Sequence, residues 1–183
     1  MNSLSNASNV IALCALGLTC YNLWATRRHN RLSVTPFLSG HTNKLMTDAG
    51  LTFSYEVTNS GIGPAKIKKF TLLRHGEEFP KTTDKFVEYT DTLIRAHLGN
   101  QLAYNINHAF TFGEKTCLKP GETRKVAEIF FPGVNQSNQE DVLAKIEGMD
   151  LVIRYESFYG QEFIFDTRTG EKKPVVKLVP GKS

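Results

Sequence analysis

The stretch Leu51–Phe70, LTFSYEVTNSGIGPAKIKKF, decides the fold. Leu51, Phe53, Tyr55 and Val57 alternate with Thr52, Ser54, Glu56 and Thr58. A period of two over eight residues is the mark of a half-buried strand with a polar outer face. The breakers Asn59-Ser60-Gly61-Ile62-Gly63-Pro64 then force a turn. Gly61 or Gly63 is expected there with positive φ, the conformation that glycine alone adopts without strain. A second strand follows over Ala65–Leu73. Its alternation fails at Lys68-Lys69, so Ile67 and Phe70 share a face only if a residue bulges between them.

Outward from this hairpin, most segments read as strands. Leu32–Leu38 is a short first strand, with Pro36 marking an edge or bend. Gln101–Phe112 places Leu102, Tyr104, Ile106 and His108 on one face, and Arg124–Phe131 does the same for Ala127, Ile129 and Phe131. Asp150–Ser157 and Gln161–Thr167 form a hairpin around Phe158-Tyr159-Gly160. Two helices interrupt the strands. Asp84–Leu98 has an apolar arc built from Phe86, Val87, Tyr89, Leu93, Ile94, Ala96 and Leu98, with Asp84 as N-cap and Gly99 as stop. Its wide apolar face is expected to pack on the strands, burying Leu93 and leaving Glu88 and Arg95 outside. Asn138–Glu147 carries capping-box spacing at Ser137 and Glu140 and ends at Gly148. Short strands separated by turn signals give a mainly β fold: an Ig-like β-sandwich, or alternatively a small β-barrel, with two short helical insertions. The expected organisation is an N-terminal membrane anchor over 1–31, the β-domain over 32–169, and a tail over 170–183 that is either a last strand (Val175–Val179) or loose.

These motifs carry a resemblance. Leu51–Phe70 with its N-x-G-x-G-P-A turn, CLKPGETRKV at Cys117–Val126 and DLVIRYESFYGQEFIFDT at Asp150–Thr167 resemble the strand pairs and turns of small bacterial membrane-anchored proteins with an Ig-like domain. The resemblance covers about half of the β-domain and rests on turn chemistry, so it implies a fold and names no activity. The long helix Asp84–Leu98 departs from it.

The N-terminal stretch Asn9–Arg31, NVIALCALGLTCYNLWATRRHNR, is uncharged until Arg27. It reads as one transmembrane helix, although Val10–Ala25 alone is short for a span. Tyr21 and Trp24 fall where an aromatic belt lies, and Arg27, Arg28 and Arg31 follow at the lipid surface. A cleaved signal peptide competes with this reading. MNSLSNASN, however, has no positive residue, and Leu23-Trp24-Ala25 is a poor cleavage site. Arginines on one side only place the main domain in the cytoplasm of a single-pass bacterial inner-membrane protein, with a periplasmic domain as the alternative. Cys117 is the one cysteine outside the apolar stretch, so no intradomain disulfide is expected.

Little in the sequence points to chemistry. The net charge of +4 comes without a long basic run, so no nucleic-acid partner is expected. The histidines His29, His41, His75, His97 and His108 fit no metal-ligand spacing, and Gly61-Ile62-Gly63 opens a strand where a dinucleotide site needs a helix. No catalytic residue, metal or cofactor is expected. His97, on the apolar face of its helix, is either a ligand-facing or pH-sensitive group or a hydrogen-bonded core histidine. Lys66, Lys68 and Lys69 could meet anionic lipid or a phosphorylated ligand, or guard an edge strand. The expected function is a non-catalytic binding or scaffolding module, held on the bilayer and contacting another protein. The alternative is a membrane-anchored sensor of a small anionic ligand.

Overall fold

The computed structural model describes residues 2–169 except 33, 82, 84, 100 and 113–115, and of residues 2–10, 31 and 32 the backbone alone. The tail strand expected at Val175–Val179 and the Asp84 cap lie outside the described residues.

Helix α1 runs over Asn2–Leu32. It is followed by β1 (Leu38–Thr47), β2 (Gly50–Asn59), β3 (Ala65–Arg74), β4 (Glu77–Glu78), α2 (Phe86–Leu98), β5 (Asn105–Ala109), β6 (Cys117–Leu118), β7 (Thr123–Pro132), α3 (Gln139–Ile146), β8 (Met149–Glu156) and β9 (Glu162–Asp166). The strands form two sheets. One has the order β1-β2-β7-β5, the other β4-β3-β8-β9 with β6 also paired to β3. Every ladder is antiparallel, and none among the described residues joins one sheet to the other, which is compatible with a sandwich.

The bulge expected in β3 is present. Ile67 pairs with Tyr155 and Lys69 with Arg154, so Lys68 is the extra residue. Ile67 is thereby buried, and Phe70 packs against the same core. A second bulge corrects the reading of β7. Tyr55 pairs with Ala127 but Glu56 with Lys125, leaving Val126 as the extra residue. Val126 therefore turns inward, while Ala127 is only half-buried and Ile129 and Phe131 are buried as expected.

The first strand is also corrected. Residues 34–37 are irregular and Pro36 is fully buried among them, while β1 starts at Leu38 and continues through a stretch that reads as no element. β1 is an edge strand paired only to β2, and most of it is exposed, so it lacks an alternating apolar pattern.

Helix α2 packs on its own domain, with Leu93 3% exposed and Glu88 and Arg95 at the surface. Its buried arc is narrower than expected, since Val87 and Ala96 face solvent. Gly99 ends it with φ 61°. α3 lacks the capping box: the Ser137 hydroxyl donates to Asn135 Oδ1 at 2.6 Å, so it is not aimed at the helix N-terminus.

Two groups of buried side chains form the core. One gathers Leu38, Val57, Ile67, Leu118, Ile153 and Tyr155. The other joins Leu51, Ile129 and Phe131 to Ile94 of α2 and Val142 and Ile146 of α3.

The expected membrane-spanning helix is not met. α1 forms, but among the described residues no helix is long and apolar enough to cross a membrane. Within them the apolar run from Ile11 to Ala25 covers about 15 residues. At 1.5 Å per residue that is about 22 Å, against a hydrocarbon core of about 30 Å.

Candidate functional site

The organising residue at one end of the β-domain is Asn59, at the close of β2. It is completely buried, and its amide is saturated. Nδ2 donates to the carbonyls of Gly63 (2.8 Å) and Leu118 (2.9 Å), while Oδ1 accepts from the backbone N–H groups of Phe37 (3.2 Å) and Gly61 (3.1 Å). One side chain thus ties the 60–64 turn to β6 and to the segment arriving from α1. Its backbone adds the 119–122 turn, accepting from Gly121 N at 2.7 Å and donating to Glu122 O at 3.0 Å.

The glycines of this turn act differently from expectation. Neither Gly61 nor Gly63 has positive φ. A Cβ on Gly63 would stand 1.7 Å from the Val34 carbonyl oxygen, and one on Gly61 would stand 2.3 Å from Phe37 N. Both are glycine because backbone crosses backbone there.

The same end carries exposed apolar side chains. Lys66 of β3 pairs with Glu156 of β8, which brings the 60–64 and 157–161 turns to one edge. Ile62 is 65% exposed, Phe158 78% and Tyr159 49%, and the two aromatic rings meet edge to face at 5.7 Å.

The lysines beside it are engaged. Lys66 and Lys68 each reach Glu156 at 2.9 Å, and Lys69 reaches Glu78 at 3.0 Å. Partial burial opposes the charge on Glu156, but hydrogen bonds from Lys68 and Lys66 win and hold its carboxyl below the usual range. β8 pairs with β3 along one side, while on the other side β6 pairs only at Ala65 and Lys66 and β4 only at Leu73 and Arg74.

His97 packs against a second histidine. The ring of His75, which sits at φ 49° in the β3–β4 turn, lies 4.7 Å from that of His97. Gly148 makes room for the pair, since a Cβ there would meet His75 Nδ1 at 2.8 Å. Burial, reinforced by the neighbouring charge of His75, pushes the His97 imidazole below its usual range. Its Nδ1 is buried without a partner, while the ring also meets the backbone at Glu147 and Lys145. Among the described residues no cluster of three or more ligating side chains could hold a metal ion.

On α1, Tyr21 and Trp24 are exposed with ring centres 6.1 Å apart, and the Arg28 guanidinium lies 5.5 Å from the Trp24 ring. Arg27 is exposed beside them, and the side chain of Arg31 lies outside the described residues.

Two concavities remain. A shallow groove of about 920 Å³ lies between α2 and the 102–106 segment, and its charges satisfy one another: Asp91 binds Arg95 at 2.7 Å and Tyr104 Oη at 2.8 Å. A deeper cavity of about 530 Å³ lies between the sheets, with walls from both of them and from α2 and α3. Leu93 and Phe165 of one core group and Ile94 and Ile129 of the other face it, so it separates the two halves of the core. Tyr55 also faces it, and burial, aided by the Asp150 charge, keeps its phenol protonated. The hydroxyl of Thr90, a residue only 5% exposed, is buried on the wall without a partner. Sequence reasoning passed over Thr90, Tyr55 and Asn59. The one signal in the sequence is Thr90 itself, a polar residue lying between Tyr89 and Leu93 on an apolar arc.

Comparison of the chain with family models, curated proteins and solved structures finds no match.

Proposed function

We propose that the chain is a non-catalytic binding or scaffolding module of Ig-like fold, held at the cytoplasmic face of a bacterial inner membrane by α1. The carrying observation is a coincidence at one end of the sandwich. The segment that leaves α1 packs against the 60–64 turn, through Ser60 N donating to Phe37 O at 2.8 Å, and the exposed Ile62, Phe158 and Tyr159 lie at that same end. A tethered module whose free apolar side chains gather at the tether is suited to a partner beside the lipid surface.

The strand orders support the Ig-like reading. β1-β2-β7-β5 over β3-β8-β9 follows the A-B-E-D over C-F-G order of constant-type Ig domains, with β4 beside β3. The resemblance of the turns to small bacterial membrane-anchored proteins points the same way. Membrane attachment draws on α1, where Ile11, Leu13, Leu16, Leu18 and Leu23 are exposed around the helix and Arg27 and Arg28 follow.

The test uses the full chain in cells, with a photo-crosslinking residue at Phe158 and a control at Lys44. A discrete protein adduct from position 158 alone is expected. Equal labelling from both positions, or none, would sink the binding surface. Release of the chain from membranes by alkaline carbonate would sink the tether independently.

The cavity between the sheets favours a second reading, a tethered ligand sensor. An anionic ligand finds no free ammonium at Lys66, Lys68 or Lys69, all of them held by carboxylates.

A further inference from the structure

We infer that the cavity between the two sheets is a binding site for a small uncharged or cationic amphiphile. This gives the sensor reading its ligand class, and it stands whether or not α1 enters a membrane.

The volume comes first. About 530 Å³ falls within the range of roughly 300–1,000 Å³ in which proteins hold small molecules. The cavity is a cleft open to solvent on one side, and the apolar side chains along its walls lack packing partners across it. Here the two core groups stay apart, with Leu72, Leu93 and Phe165 on one side and Ile94, Ile129 and Ile146 on the other.

The wall chemistry comes second. The lining is predominantly aliphatic and aromatic, which water fills poorly. Among the described residues, the one buried polar atom on it without a partner is the hydroxyl of Thr90. A buried hydroxyl left unpaired is costly, and a ligand hydroxyl, amine or carbonyl reaching it would remove that cost.

The rim selects the charge. Its ionisable groups are Lys44 of β1, Glu147 after α3, Asp150 of β8 and Asp166 of β9. Asp166 is held by Arg168 at 2.6 Å and the same guanidinium lies in the field of Asp150, so three carboxylates stand against the two cations Lys44 and Arg168. The balance at the opening is acidic, so a carboxylate head group is disfavoured and an ammonium or neutral head is accepted.

The experiment follows methyl resonances of the full chain, labelled at Ile, Leu and Met and held in lipid nanodiscs. Decylamine, decanol and decanoate are titrated separately. Saturable shifts are expected at Ile94, Ile129 and Met149, which line the cavity, with Ile67 and Ile153, which do not, unmoved. Decanoate should bind about tenfold more weakly than decylamine, and Thr90→Val should weaken decanol about three- to tenfold, the worth of one hydrogen bond. Ala127→Phe, which places a ring in the cavity, should abolish the shifts. Shifts confined to α1 methyls, decanoate binding as well as decylamine, unchanged affinity in Thr90→Val, or undiminished shifts in Ala127→Phe would each overturn the inference.

Discussion

Replacing Gly63 by alanine separates two reasons why a turn position can require glycine. The backbone of Gly63 lies outside the left-handed region, so alanine carries no conformational penalty there. The obstacle is steric: the new Cβ would stand 1.7 Å from Val34 O and 2.3 Å from Val34 C. Both are backbone atoms, so no side chain can swing aside. Segment 34–37 must retreat by more than 1 Å, by comparison with ordinary carbon–oxygen contacts of about 3.3–3.6 Å. Three hydrogen bonds hold that segment: Gly63 N to Thr35 O at 3.3 Å, Ser60 N to Phe37 O at 2.8 Å, and Phe37 N to Asn59 Oδ1 at 3.2 Å. At about 1 kcal/mol each, their loss costs about 3 kcal/mol. The reduced freedom of the unfolded chain returns about 0.7 kcal/mol. The net is about 2 kcal/mol, or a fall in Tm of about 4–8 °C for a chain of this size. Circular dichroism melts of the full chain read it directly. Asparagine supplies the control, because it tolerates positive φ but not lack of space. At Gly121, with φ 75° and nothing within 4 Å of its Cβ position, asparagine should melt above alanine. At Gly63 it should melt no higher than alanine. Wild-type melting of Gly63→Ala, or rescue by Gly63→Asn, refutes the close-approach argument.

Asn59→Ala strands four backbone partners, two in buried and two in part-buried hydrogen bonds, and should cost about 3 kcal/mol or more in urea unfolding; a loss under 1 kcal/mol would remove Asn59 from its central position. Leu93→Ala should cost about 2–3 kcal/mol, the lower part of the range for core truncation, because Leu93 borders an existing cavity. Wild-type stability with altered oligomerisation would instead make α2 an interface. His97 titrates below its usual range in the folded chain, so the unfolded chain binds the proton first as pH falls. Stability should therefore decline on acidification below about pH 6.5, the unperturbed imidazole value, until the folded group itself protonates. His97→Gln should flatten that part of the Tm–pH curve; equal slopes in both proteins would show that His97 does not drive it.

Much of the candidate site was invisible in sequence because its parts matter only in pairs. The lysines Lys66, Lys68 and Lys69 look like an anion site until Glu156 and Glu78 are placed beside them. His97 gains its character from His75, which lies more than twenty residues earlier in the chain. Thr90 is one unremarkable polar residue on a helix until the sheets leave a gap beside it.

What the sequence by itself determined was whatever local periodicity encodes. The alternation of Leu51–Val57 made β2, the interrupted alternation around Lys68 placed the β3 bulge, and the wide apolar arc of Asp84–Leu98 required α2 to be covered. Each is a statement about one face of one element, and a face is legible from residue spacing alone. Tertiary structure decided the rest. β1 is a strand because β2 offers it an edge, not because its own residues alternate. Val126 turns inward because a bulge forms against Tyr55 and Glu56. Gly63 is glycine because the chain leaving α1 crosses it. Registers, crossings and cavities are relations between segments far apart in the chain, and side-chain spacing within a segment carries no information about the distance to another.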